Sequence, residues 1–249
     1  MELDTAQISL TGDRSDNQDR AEILISDESV FAIVADGMGG HARGDLAAET
    51  AIASLVTSFR RARHARTAPP DFLAAAITAA HQEVLELGAG MRAEIRPGTI
   101  VVCALVSQDK VWWANVGDSR AYQLRQGAIV ERTRDHTVVE ALIAAGELTR
   151  EQAPFHPERH IVEYCLGVDE TPPPANIAGP HDLAPGDFVL LCSDGLWSQL
   201  GEPLIIERLS ESEVMEDTLS ELAHDAVRAA RPQSDNVTAV CLHVLEDDE

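Results

Sequence analysis

The chain has 249 residues, enough for one large domain or two small ones, and its 45% hydrophobic content argues against global disorder. Its formal net charge of −23 argues against nonspecific binding to nucleic acids or anionic membranes, because both surfaces would repel it. No apolar run approaches the roughly 18 residues of a membrane span, and the N-terminal MELDTAQ lacks the layout of a signal peptide. We therefore expect a cytoplasmic protein that binds neither nucleic acid nor membrane.

The four cysteines lie far apart, mostly inside apolar runs, and none forms a CxxC pair. We interpret them as reduced core residues rather than as disulfides or zinc ligands.

The first part of the chain is predicted to form three short strands followed by two helices. Turn residues separate the strands at 6–10, 21–26 and 30–35, and apolar residues recur at helical spacing over 43–63 and 71–87.

Strand patterns then return at 99–107, 111–116 and 121–125, joined partly by hairpin turns at Gln108-Asp109 and Arg125-Gln126-Gly127. The remaining pattern predicts a helix at 137–145, an irregular Pro- and His-rich stretch at 146–174, a strand at 188–192, a helix at 214–230 and a strand at 237–244. This order favours an α+β fold of antiparallel sheets covered by helices over a doubly wound parallel sheet.

Four aspartates lie at the ends of strand-like runs: Asp36, Asp118, Asp194 and Asp235. Each alone is typical of a turn, and the Gly117-Asp118-Ser119 sequence alone reads as a plain hairpin. Together they indicate one shared site, although each like-charge pair about 5 Å apart costs on the order of 3 kcal/mol. Such a cluster must keep protons or hold cations, and its hard oxygen ligands favour Mg²⁺ or Mn²⁺ over Zn²⁺.

Two further segments carry candidate ligands. Arg14 could donate to phosphate oxygens and Asp19 could support a metal, although their segment alone could be a polar turn. The glycines after Asp36 would let the Gly37 carbonyl join a metal site. A nucleotide-binding loop is the rival interpretation, but neither GxGxxG nor GxxxxGK[ST] is present.

Taken in order, Arg14, Asn17-Gln18-Asp19, DGMGGH, GDSR, SDG and DN resemble the motifs of the PPM family of metal-dependent serine/threonine protein phosphatases, the protein phosphatase 2C type, in its bacterial branch. The resemblance implies one domain over 1–249. Its fold would be a central antiparallel β-sandwich flanked by helices on both faces, with a flap at about 135–175.

The resemblance also implies the roles of the site residues. Asp36 would bridge two metal ions, one of them also bound by the Gly37 carbonyl. Asp194 and Asp235 would bind the other ion, and Asp118 with Asp194 would hold a third, weaker one.

The resemblance places Asp19 near the metals and makes Arg14 the phosphate-binding arginine. Two Mn²⁺ or Mg²⁺ ions would lower the pKa of a bridging water, and the resulting hydroxide would attack phosphorus in line. The substrates would be proteins phosphorylated on serine or threonine by a cognate kinase.

Three departures from the family pattern affect these expectations. Gln18 replaces a glutamate and removes a negative charge near the site. Met38 stands where eukaryotic members carry a histidine, which leaves His41 as the nearest candidate general acid, with helix-start packing as its alternative. The flap matches the family only loosely, so a catalytically weak phosphoprotein-binding member and a small-phosphoester hydrolase remain alternatives.

Overall fold

The computed structural model describes residues 2–38, 43–62 and 68–245. Its strands are β1 (Leu3–Leu10), β2 (Asp19–Ser26), β3 (Ser29–Met38), β4 (Gly98–Ser107), β5 (Lys110–Val116), β6 (Arg120–Arg125), β7 (Ala128–Arg132), β8 (Asn176–Asp182), β9 (Phe188–Cys192) and β10 (Val237–Val244). Its helices are α1 (Gly44–Arg61), α2 (Pro69–Leu87), α3 (Val138–Ala144), α4 (Asp194–Leu200), α5 (Glu202–Ser210) and α6 (Met215–Ala230).

Two five-stranded antiparallel sheets form the centre of the molecule, in the orders β1-β10-β9-β6-β7 and β2-β3-β4-β5-β8. Apolar residues from both sheets meet in one interior cluster. Helices α1 and α2 cover the outer face of the second sheet, and α4, α5 and α6 cover that of the first. The predicted α+β sandwich with helices on both faces is therefore confirmed.

Strand β3 shows why some strands of this fold are apolar throughout. Phe31, Ile33 and Ala35 face the outer helices, whereas Val30 and Val34 face the first sheet. Because a strand's side chains alternate between faces, a strand buried on both sides needs a continuous apolar run. Each large aliphatic side chain buried in this way stabilises the fold by about 1.5–3 kcal/mol.

The predicted flap occupies the connection between β7 and β8. It contains α3 and a 3₁₀ turn at Ala153–Phe155. An isolated bridge from Thr99 to Leu166 ties it to β4, and a second bridge, from Thr137 to Val162, closes the flap on itself.

Four elements have no counterpart in the sequence prediction, namely β7, β8, α4 and α5. Strands β7 and β8 are the outer strands of their sheets and are largely exposed, so they lack an apolar run. Helices α4 and α5 are short and are separated by Gly201 alone. Among the described helices, none combines the length and apolar character needed to cross a bilayer.

Candidate active site

The predicted acidic residues meet at one end of the sandwich, in a cleft of about 410 Å³. Asp36, Asp118, Asp194 and Asp235 all line this cleft. The other predicted residues that line it are Arg14 and Gly37.

Strand pairing and close backbone packing produce this convergence. Asp194, the first residue of α4, directly precedes Gly195. A Cβ on Gly195 would lie 2.0 Å from the carbonyl oxygen of Asn236, next to Asp235. Only glycine permits that approach, so the SDG and DN segments are held side by side.

Asp118 reaches the cleft because its turn is not a hairpin. Strand β5 belongs to one sheet and β6 to the other, so the plain-hairpin interpretation is wrong and the turn crosses the sandwich. Gly117 has a φ of 104°, and a Cβ there would lie 2.2 Å from Cγ2 of Ile100. The turn therefore requires glycine directly before Asp118.

The carboxylates lie close enough to perturb one another. Burial raises the pKa of Asp36 well above its ordinary value, and repulsion from Asp19, Asp194, Asp118 and Asp235 raises it further. Burial, with repulsion from neighbouring carboxylates, also raises the pKa of Asp118 to about 7 and that of Asp194 to about 6. The cleft thus concentrates negative charge that either protons or cations must offset.

This donor set fits a hard divalent cation. Five aspartates and the backbone of Gly37 line the cleft, and no cysteine is among its described lining residues. In the described part of the chain, no group of three or more Asp, Glu, His or Cys side chains lies close enough together to hold a metal ion as it stands. The chemistry of the residues nevertheless fits Mg²⁺ or Mn²⁺.

Asp19 lies beneath the cleft rather than in its wall. It pairs directly opposite Asp36 in the β2–β3 register, and only 2% of its surface is exposed. The Ser193 hydroxyl donates to its carboxylate at 2.8 Å. Burial raises the pKa of Asp19 to about 6 despite this hydrogen bond. Asp19 therefore adds a buried carboxylate that repels Asp36 and Asp194 without lining the cleft.

Arg14 lies on the exposed loop between β1 and β2. Its Nη2 donates to Oδ2 of Asp235 at 2.7 Å. The hydrogen bond to Asp235, the charge of that residue and the more distant Asp194 and Asp36 raise the pKa of Arg14, so it stays cationic.

His41 lies outside the described residues. The cleft residues that were not predicted as site residues include three with polar side chains of note, Asp16, His160 and Asn236. Asn236 follows Asp235 in the DN motif, so the same motif could have identified it as a site residue. His160 comes from the flap, where no local pattern sets it apart from the other histidines.

Comparison with known proteins agrees with this geometry. A profile of the family described as Protein phosphatase 2C matches residues 11–236. The serine/threonine phosphatase Stp of Listeria innocua is 32% identical over 232 residues, which cover 91% of this chain and 90% of that protein.

Solved structures give the same result. The serine/threonine phosphatase of S. agalactiae superposes with a TM-score of 0.87 at 28% identity, covering 98% of this chain and 100% of that one. The catalytic domain of PstP in complex with two manganese ions superposes with a TM-score of 0.78 at 29% identity, covering 98% and 99% of the two chains. The chain therefore belongs to the protein phosphatase 2C family.

Proposed function

We propose that the chain hydrolyses phosphoserine and phosphothreonine esters in proteins, with two Mn²⁺ or Mg²⁺ ions and a third, more weakly held one. The observation that most supports this is the cleft itself, which the four predicted carboxylates line together with the cation of Arg14. A phosphoester must first be formed by a kinase, so the proposal implies a serine/threonine kinase whose products this chain hydrolyses. The four cysteines are free, which supports a cytoplasmic location.

The proposed ligands of the two ions are Asp36, the Gly37 carbonyl, Asp194 and Asp235, and Asp118 would share the third ion with Asp194. When bound, such ions supply a water of lowered pKa and offset the charge of the phosphate oxygens. Asp36 lies near the end of β3 and Asp194 is the first residue of α4, whereas Asp118 and Asp235 lie in the connections that lead directly into β6 and β10.

Arg14 is the proposed phosphate-binding residue. A guanidinium can donate two parallel hydrogen bonds to phosphate oxygens, and its charge opposes the strongly acidic character of the chain. It would hold the phosphoryl group with phosphorus facing the carboxylate cleft.

His41 is the proposed proton donor to the leaving serine or threonine oxygen. An alkoxide is a poor leaving group and needs a proton, whereas p-nitrophenolate does not. His41→Ala should therefore slow phosphoserine peptides more than p-nitrophenyl phosphate, and equal slowing would contradict the role.

Phosphate release from phosphoserine and phosphothreonine peptides tests the proposed function. We expect turnover with Mn²⁺, its loss in EDTA, and a fall of at least about 100-fold in Asp36→Asn. Asp109→Asn, on the hairpin turn at the opposite end of β4 and β5, is the matched control and should keep full activity.

The same assay separates the alternatives. Undiminished activity in EDTA would refute the metal-dependent mechanism. Tight phosphopeptide binding without turnover would indicate a silent member of the family, and faster hydrolysis of metabolite phosphates would indicate a small-phosphoester hydrolase.

A further inference from the structure

Arg120 lies directly after the Asp118 turn, and its side chain is enclosed on several sides. Its Nε and Nη2 donate to both carboxylate oxygens of Asp135, at distances between 2.7 and 3.2 Å. Its Nη1 lies 3.2 Å from Oε1 of Glu202, and its Cζ lies 3.4 Å from the centre of the Trp197 ring. Only 11% of the side chain is exposed, so this cation is part of the interior.

Trp197 connects this cation to the cleft. The indole Nε1 donates to the carbonyl oxygen of Asp118 at 3.1 Å. Because the guanidinium of Arg120 lies over the ring, it restricts the rotation of the indole and keeps the Nε1–H directed at Asp118.

The flap base, residues 134–136, holds the same turn from another side. The His136 N–H donates to the Gly117 carbonyl at 2.9 Å, and the Gly117 N–H donates to Nδ1 of His136 at 3.2 Å. Nδ2 of Asn115 donates to the Arg134 carbonyl at 2.9 Å. The Asp118 carbonyl is thus held by Trp197, which contacts Arg120, and Gly117 is held by His136, the neighbour of Asp135, which also contacts Arg120.

We propose that Arg120 is a positioning residue, which holds Trp197 and the flap base against the Gly117–Asp118 turn and so aims the Asp118 carboxylate into the cleft. This inference rests on the proposed function, because Asp118 is one of the proposed ligands. Lysine cannot replace Arg120, because only a planar guanidinium can donate two hydrogen bonds to the Asp135 carboxylate while its face stacks on the Trp197 ring.

Two variants break the arrangement at different points. Arg120→Lys keeps the charge but loses the fork and the stacking. Trp197→Phe keeps an aromatic ring beneath Arg120 and removes only the donor to Asp118. Arg132→Lys is the matched control, because Arg132 pairs with Glu202 in the same network, at 2.8 Å, but forms no hydrogen bond or ion pair with the described Asp135 or Trp197.

Titration of free Mn²⁺ by electron paramagnetic resonance, without substrate, is the primary measurement. We expect Arg120→Lys and Trp197→Phe each to raise the dissociation constant of the most weakly bound Mn²⁺ by about 10-fold, as is usual when residues that support a metal ligand are changed. Arg132→Lys should bind Mn²⁺ like the wild type. Wild-type binding by both test variants would overturn the inference.

The Asp118→Asn background distinguishes positioning from a general loss of structure. If Arg120 acts through Asp118, Arg120→Lys should lower neither Mn²⁺ binding nor kcat/KM further in that background. A merely structural role would lower both equally in the two backgrounds and would overturn the inference. If Arg120→Lys fails to fold, Trp197→Phe carries the same test.

The outcome for the proposed function stays separate. A wild-type chain that binds Mn²⁺ but does not hydrolyse phosphopeptides would refute the proposed function, while the Mn²⁺ titration would still decide the role of Arg120. A wild-type chain that binds no Mn²⁺ would overturn both.

Discussion

Arg14 and Asp235 form an ion pair at the cleft, with Nη2 of Arg14 2.7 Å from Oδ2 of Asp235. The two side chains are 59% and 40% exposed, and pairs of this kind contribute about 0–1 kcal/mol to stability. The contact is therefore easily exchanged. A cation at Asp235 would compete with Arg14 for the carboxylate and release the guanidinium toward a phosphate oxygen.

Arg14→Ala tests this exchange. We expect kcat/KM on a phosphoserine peptide to fall about 100-fold, because a charged donor to the phosphoryl oxygens is lost. The free energy of unfolding should change by less than about 1 kcal/mol, since the pair is exposed. Arg14→Lys should recover part of the activity, because it restores the charge without the bidentate geometry. Full activity in Arg14→Ala would rule out the phosphate role.

Asn236→Asp should loosen the loop that carries Arg14. The Asn236 side chain accepts from the Gln18 N–H at 2.8 Å and donates to the carbonyls of Thr11 and Asp16 at 2.8 and 3.0 Å. Aspartate keeps the acceptor but loses both donors and repels the two carbonyls, at a cost of about 1–3 kcal/mol.

Hydrogen exchange at residues 11–18 and phosphopeptide kinetics measure this effect. We expect faster exchange in the loop and an increase in KM that exceeds any decrease in kcat. Unchanged exchange in Asn236→Asp would show that other contacts fix the loop.

Local sequence patterns predicted most strands and four of the helices, because these follow from the periodicity of apolar residues. They also predicted the convergence of Asp36, Asp118, Asp194 and Asp235, because each lies at the end of a strand-like run. They could not predict contacts that the assembled sandwich creates. Asn236 reaches Thr11 across 225 positions of the chain, and no short-range pattern encodes that pairing.

The Asp118 turn shows the same limit. Its Gly-Asp-Ser sequence suits a hairpin, but the sheet order decides that β5 and β6 lie in different sheets. Strand β8 illustrates another cause. It lies at the edge of its sheet, largely exposed, so its residues carry neither an apolar run nor a clear alternation.

Asp187→Asn should destabilise the fold without affecting chemistry. The fully buried Asp187 carboxylate accepts from Nε and Nη2 of Arg125, both at 2.7 Å, from Gln123 at 2.9 Å and from the Ala184 N–H at 3.0 Å. Burial alone would raise the pKa of Asp187, but these donors outweigh it and lower the pKa. Loss of the charge should cost about 3 kcal/mol in urea unfolding.

Asp182→Asn is the matched control for Asp187→Asn. Asp182 pairs with Lys110 nearby, but its side chain is 79% exposed, so its loss should cost less than about 1 kcal/mol. Both variants should keep wild-type kcat, because β9 separates Asp187 from Asp194 at the cleft. Equal unfolding free energies for the two variants would contradict the argument.

His81 should make stability depend on pH near neutrality. Its ring is fully buried, Nδ1 accepts from the Gly167 N–H at 3.3 Å, and Nε2 has no hydrogen-bond partner within the described ranges. Burial lowers the pKa of His81, although Asp169 and Glu170 oppose the shift. The unfolded chain therefore binds a proton more readily than the folded chain below about pH 6.5. Stability should decrease as the pH falls, by at most about 1.4 kcal/mol per pH unit from this group.

His81→Asn can keep the acceptor for Gly167 but does not titrate, so its unfolding free energy should fall less between pH 7.5 and 5.5 in urea titrations. Parallel curves for the two proteins would show that His81 is not the group responsible.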